Sequence, residues 1–185
     1  MDCMDMRFDK KKISRFIGEE FNSYKCDPFD YTNSVTQIVG LFISDKIYSL
    51  NNIQKNVDYF GEDEEIAVFE LKEAAKECIK SAFEDTEMIS TPVKEIINKI
   101  TLVNENQKIS KNGICQYDVW ITRGIIFHVG GREISFEKDN VPFSEEIIIQ
   151  RGYELIDKFS DEKDFLESWD NDIKPECTRQ IIEIK

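Results

Sequence analysis

The chain has 185 residues, enough for one domain whose core buries roughly 70% of the unfolded surface without a metal or disulfide staple. At 41% apolar and 33% charged residues, with thirteen Phe, it is too apolar to stay disordered. A net charge of −13 argues against nucleic acid and against an anionic membrane surface, because both are bound through Lys and Arg.

The negative charge is unevenly placed. Residues 61–87 hold ten acidic and three basic side chains, residues 154–176 hold nine and three, and the remainder holds eighteen of each sign. Such patches serve solubility, or they complement a basic protein partner. The five cysteines (Cys3, Cys26, Cys78, Cys115, Cys177) are odd in number and show no CxxC spacing, so neither a disulfide framework nor a zinc knuckle is indicated. Met1-Asp2-Cys3-Met4-Asp5 lacks the basic and apolar regions of a signal peptide, and no apolar run approaches the ~20 residues of a membrane span. A reducing cytoplasm is the expected compartment.

In chain order, the first predicted element is a helix over about Lys10–Ser23, where Ile13, Phe16, Ile17 and Phe21 share a stripe and Asp9 is placed to cap it. Ser34–Leu50 reads as a β-hairpin turning at Ser44-Asp45-Lys46, with Gly40 as a bulge. Residues 51–61 read as loop. Asp63–Glu84 reads as a helix, with Ala67, Val68, Leu71, Ala75, Cys78, Ile79, Ala82 and Phe83 on one face and Glu64 and Glu65 at the positive end of its dipole. A strand over Ile66–Leu71 is the competing reading. Strand is expected through Ile96–Val103, then a turn at Asn112-Gly113 and a long bent strand over Gln116–Val129 with a bulge at Gly124. Gly130-Gly131 turns into Arg132–Lys138, and Ile147–Ile149 adds a short strand. Helices are predicted over Tyr153–Phe159 and from an N-cap at Ser160 through Phe165, Leu166 and Trp169, stopped by Pro175. Thr178–Ile184 closes the chain with Ile182 and Ile184 facing one way. Trp120 and Trp169 are expected in the core. Together these elements predict a single α+β domain over residues 1–185, an antiparallel sheet built from hairpins with flanking helices.

Signals for chemistry are sparse. There is no GxxxxGK[ST] loop, and Gly130-Gly131 precedes a strand where a phosphate site needs a helix N-terminus. The single histidine, His128, shares a strand face with Ile126, and no nucleophile signature accompanies it. Glu62-Asp63-Glu64-Glu65 and Asp170-Asn171-Asp172 are candidate cation ligands, but the second lacks the glycine and glutamate of a calcium loop. Solvated surface is the simpler reading of both, and no catalytic residue, metal site or cofactor is assigned.

The C-terminal half carries one resemblance. Asp118 through Phe127, Glu133 through Lys138, Phe143-Ser144-Glu145-Glu146-Ile147 and Arg151-Gly152-Tyr153 are similar to small bacterial immunity proteins of polymorphic-toxin and contact-dependent inhibition systems. It covers about 70 residues and rests on a strand–turn–strand phrase. It implies a cytosolic domain that binds a toxin's catalytic domain, often a basic nuclease, and occludes its active site. The contact is then expected at Glu62, Asp63, Glu64 and Glu65, at Glu145 and Glu146, or at Asp161, Glu162, Asp164, Asp170 and Asp172, where negative charge speeds encounter. A small metal-assisted hydrolase built from carboxylates and His128, and a non-catalytic orphan or subunit domain, are the alternatives.

Overall fold

The structure, a computed structural model, describes residues 3–167 and 169–185; Met1 and Asp2 of the acidic N-terminus, and Ser168 of the last predicted helix, lie outside them. Its strands are β1 (Met4–Met6), β2 (Glu20–Cys26), β3 (Ser34–Thr36), β4 (Ile38–Ile43), β5 (Lys46–Tyr59), β6 (Glu62–Glu73), β7 (Ile89–Lys111), β8 (Ile114–Val129), β9 (Arg132–Lys138), β10 (Glu146–Gly152) and β11 (Ile173–Ile184). One short helix, α1 (Lys10–Ser14), and 3-10 turns at Lys76–Cys78, Leu155–Lys158 and Glu162–Leu166 accompany them. With 60% strand and 9% helix, the protein is sheet-dominated, and the α+β arrangement with flanking helices is overturned.

Each misread helix has a physical cause. Asp63–Glu84 holds β6, because Ile66, Ala67, Val68 and Phe69 are buried in unbroken succession, and such a run imitates a helical stripe when Leu71 and Ala75 follow. The competing strand over Ile66–Leu71 is the one that forms. Asp9 does cap α1, accepting from the Lys11 amide at 2.8 Å, but the chain turns through Gly18 at φ 84° and Phe21 sits on β2. Residues 51–59 extend β5 where loop was expected, since buried Asn52 donates to the carbonyls of Ser144 and Glu146 at 3.0 Å each. Tyr153–Phe159 and the segment after Ser160 shrink to 3-10 turns, and the second is capped by Asp161. Gly40 pairs regularly with Ser49 and Lys25 and forms no bulge; its missing Cβ makes room for Ile79, whose Cγ2 would lie 2.4 Å away.

The hairpins read from sequence do form. Asn112-Gly113 and Gly130-Gly131 all take positive φ, as two-residue turns between twisted strands require. The bulge at Gly124 is present, because the register passes from Asn104↔Thr122 to Val103↔Gly124 and leaves Arg123 as the extra residue.

Hydrogen-bonded neighbours follow the path β3-β10-β9-β8-β7-β2-β4-β5-β6, with every step antiparallel. β3 and β4 are separated only by Gln37, which bends the chain at φ 67°. The path therefore returns to its start, and β3/β4, β10, β9, β8, β7 and β2 close into a ring, with β1 paired in parallel on β8 at Val119–Ile121. Inward side chains alternate along each strand, and four rings interlock inside: Phe21 on Phe127 at 5.0 Å, Phe127 on Phe136 at 6.1 Å and Tyr24 on Phe136 at 5.5 Å.

Two structures stand outside the ring. The distal parts of the β5–β6 and β7–β8 hairpins enclose a second core of Val57, Ile66, Val68, Ile109, Tyr117, Val119 and Ile121. On the outer wall, Leu155 and Phe159 cover Val103 and Ile126, and β11 pairs along β7 from Ile100 to Lys111. Neither tryptophan is a core residue. Trp120 is half-buried beneath the Arg7 guanidinium at 4.4 Å, and Trp169 rests against the rim of the second core, its indole donating to the Phe165 carbonyl at 2.6 Å.

Candidate functional site

Among the longer strands, β6 and β11 each pair along one side only, and their outer edges differ. The Asn112 amide donates to Asp172, which turns the even-numbered residues of β11 toward β7 and points the nitrogen of Pro175 outward. A proline with no N–H thus interrupts that edge. β6 has no such block. Its two-residue turn pairs Tyr59 with Glu62, and the Ala74 amide donates to Ile47, so even-numbered residues of β6 bond to β5. The amides and carbonyls of Phe69, Leu71 and Glu73 face away. At Ala67 the edge is closed, because its amide donates to Pro142 of the 139–145 loop at 2.8 Å.

A groove of about 990 Å³ runs beside this free edge. Every residue from Val68 to Glu73 lines it, and side chains alternate across a strand, so β6 meets the groove edge-on. The opposite wall is Met4, Met6, the Arg7–Asp9 connection and α1, with Phe8 stacked on Phe69 at 6.3 Å and Phe16 edge-on to Tyr48 at 4.8 Å in the apolar floor. Lys12 and Arg15 stand on its rim. They belong to a run, Lys10-Lys11-Lys12 with Arg15, that opposes the charge of the whole chain. That local reversal of sign was the sequence signal for the site. Attention to net charge and acidic clusters passes over it.

A second array lies on the outer wall. His128 Nδ1 lies 3.2 Å from Glu133 Oε1, and its Nε2 shares a hydrogen bond with Thr101 Oγ1 at 2.9 Å. Burial first, then Lys99, holds the imidazole below its ordinary pKa, against the opposing pull of Glu133 and Glu183. This is the order of a hydroxyl, a base and its orienting acid, but none of the three lines the groove. Thr101 is buried and the other Glu133 oxygen accepts from the Leu155 amide at 2.8 Å, so the array ties the 3-10 turn to the wall.

The most buried charges lie between β7, β8, β9 and β11. Glu105, 1% exposed, accepts from Arg123 Nη1 at 3.0 Å and from Arg179 Nε and Nη2 at 3.0 and 2.5 Å. Burial pushes its carboxyl upward, but the two guanidiniums win and hold it below the usual range. Glu137, mainly through burial, is pushed above it. Lys138, 2% exposed, finds only the carbonyls of Asp139 and Val141, at 2.9 and 3.2 Å, and burial lowers it to about 7. The network is a clamp: Arg179 reaches the Ser160 carbonyl, and Lys138 anchors the loop that closes the edge at Ala67.

No protein-family model, no curated protein and no solved structure matches the chain.

The acidic residues expected to bind a partner are spread over three places. Glu62, Asp63, Glu64 and Glu65 are exposed at the distal end of β6. Glu145 and Glu146 are engaged internally, accepting from Gln37 at 2.7 Å and Ser34 at 2.8 Å. Asp161 caps its 3-10 turn, Glu162 pairs with Arg179 at 3.5 Å, Asp164 accepts from Asn140 at 2.9 Å, Asp172 pairs with Lys111 at 3.3 Å, and Asp170 is exposed. Phe165 and Trp169 pack on the same second core as Ile66, so the first and third clusters border one apolar unit. Among the described residues, no three His, Cys, Asp or Glu side chains are grouped to hold a metal, and no helix is long and apolar enough to cross a membrane.

Proposed function

We propose that this domain is a non-catalytic protein-binding protein, and that the free edge of β6 with its groove is where a partner segment docks by adding a strand. One observation carries the reading: of the two long outer edges, β11 is interrupted by Pro175, while Leu71 and Glu73 of β6 present their backbone groups to a groove with an apolar floor. The resemblance to immunity proteins suggests a setting, a bacterial cytoplasm in which the domain covers a toxin's active site. There, exposed Glu62–Glu65, farther along the same strand, would steer a basic toxin domain toward the edge. The hydrolase alternative has only the Thr101–His128–Glu133 array, and none of the acidic clusters joins it.

Selection of random displayed peptides of about twelve residues tests the docking edge. Glu73→Pro removes an outward amide without touching the β5 ladder, and Glu73→Ala controls for the lost pair with Lys46. Selected peptides should bind the wild type and Glu73→Ala and lose affinity for Glu73→Pro. Equal binding to all three proteins rejects the edge.

A further inference from the structure

We infer that the 139–145 loop is a displaceable strap on the docking edge: closed, it holds the Ala67 amide, and lifted, it gives that amide to a partner strand beside Leu71 and Glu73. This rests on the docking reading above and adds its regulation. The loop joins β9 to β10 and is held chiefly through its own carbonyls. Pro142 accepts from the Ala67 amide at 2.8 Å, Phe143 from Gln54 Nε2 at 3.0 Å, Ser144 from Asn52 Nδ2 at 3.0 Å and Glu145 from the Gln37 amide at 2.9 Å. Its large apolar side chains give little anchorage, since Val141 and Phe143 are 50% and 55% exposed. A segment tied mainly by hydrogen bonds, each of which water can replace, opens at a lower free energy than the whole fold.

The closed strap also seals in groups that water would satisfy. Asn52 Oδ1 and Gln54 Oε1, on two side chains that hold it, are buried with no donor among the described residues, so each has lost its hydration without compensation. Lys138, 2% exposed, sets its ammonium against the carbonyls of Asp139 and Val141 and forms no ion pair among the described residues. Arg123 on β8 opposes its charge and Glu105 on β7 and Asp139 in the loop favour it, while Glu137 and Arg179 join the same network through Arg123 and Glu105. Burial outweighs them all and holds the ammonium well below its ordinary 10.5, at about 7. Lifting the strap returns the amine to water and to its ordinary value. The open form therefore binds more protons between those two values, and acid favours opening. From about pH 8.5 to about pH 7 the open population rises about fifteenfold.

Amide exchange followed by NMR tests the strap, with the Val68 amide, bonded within the β5–β6 ladder, as the reference. Ala67 should exchange through an opening that low urea leaves unchanged while Val68 follows urea, and its protection should fall about fifteenfold from about pH 8.5 to about pH 7. Lys138→Met should abolish that pH dependence, and Gln54→Ala should lower Ala67 protection about fivefold by removing the bond to Phe143. Displayed peptides selected on Gln54→Ala should then bind the wild type about fivefold more weakly, in proportion to its smaller open population. Ala67 exchange that tracks Val68 in urea, or that is indifferent to pH, overturns the strap and leaves the docking edge in place. Equal peptide binding to the wild type and Gln54→Ala overturns its hold on docking. If no selected peptide is sensitive to Glu73→Pro, the docking edge fails and this inference fails with it.

Discussion

Replacing Lys138 by Met should change how stability depends on pH. The ammonium is buried with two carbonyl acceptors and no carboxylate, and its pKa falls from the ordinary 10.5 to about 7, first through burial and then through Arg123. As pH rises above about 7, the folded protein releases this proton while the unfolded chain keeps it, so the unfolded state binds more protons and stability climbs. At ~1.4 kcal/mol per unit, a folded pKa near 7 yields roughly 1.6 kcal/mol between about pH 7 and about pH 8.5. The window is chosen to isolate this group. Below it His128, held low by burial, contributes a rise of its own. Above it the thiols of Cys3 and Cys26, each pushed to about 11 chiefly by burial, and of Cys177, pushed to about 12, work in the opposite sense because the unfolded chain ionises first. Urea unfolding across the window measures the effect, and the wild-type curve should rise while that of Lys138→Met stays flat. Parallel curves would refute the claim that a charged Lys138 is carried into the interior.

Two further perturbations probe the clamp and the bulge. Glu105→Gln leaves Arg123 with Glu137 alone and Arg179 with partly exposed Glu162, and should cost roughly 3 kcal/mol in chemical denaturation. Because Glu105 is held below its ordinary range, its contribution is present at neutral pH and lost as pH falls through its folded value; the variant should lose part of the acid limb, and an unchanged limb would show that the guanidiniums give no net stabilisation. Gly124→Ala places a Cβ 2.3 Å from the Phe159 ring and should destabilise by about 2 kcal/mol. Phe159→Ala in the same chain should relieve part of that cost, so strictly additive effects in the double-mutant cycle would reject the clash as its cause.

What could be read from the residues is what short stretches determine among themselves. Asn112-Gly113 and Gly130-Gly131 take the left-handed backbone their positions require, Gly124 marks the bulge, Asp9 caps α1, and Ile134 and Phe136 alternate because a strand places every second side chain on one face. Helix and strand become indistinguishable where burial is two-sided, as at Ile66–Phe69, and a polar strand looks like loop when its partner is distant, as with Asn52 and the carbonyls of Ser144 and Glu146. Net charge read over whole segments located the acidic patches and passed over the Lys10–Arg15 run, of which Lys12 and Arg15 line the groove.

Closure of the ring, the buried clamp and the free edge belong to tertiary structure alone. Gln37 can join β3 to β4 around a ring only because β10 arrives from more than a hundred residues later, and Glu105 can be buried as an anion only because Arg179 stands directly across the β7–β11 ladder. Local preferences act over a few residues, whereas the desolvation of a charge or the exposure of an edge depends on which distant strand lies alongside.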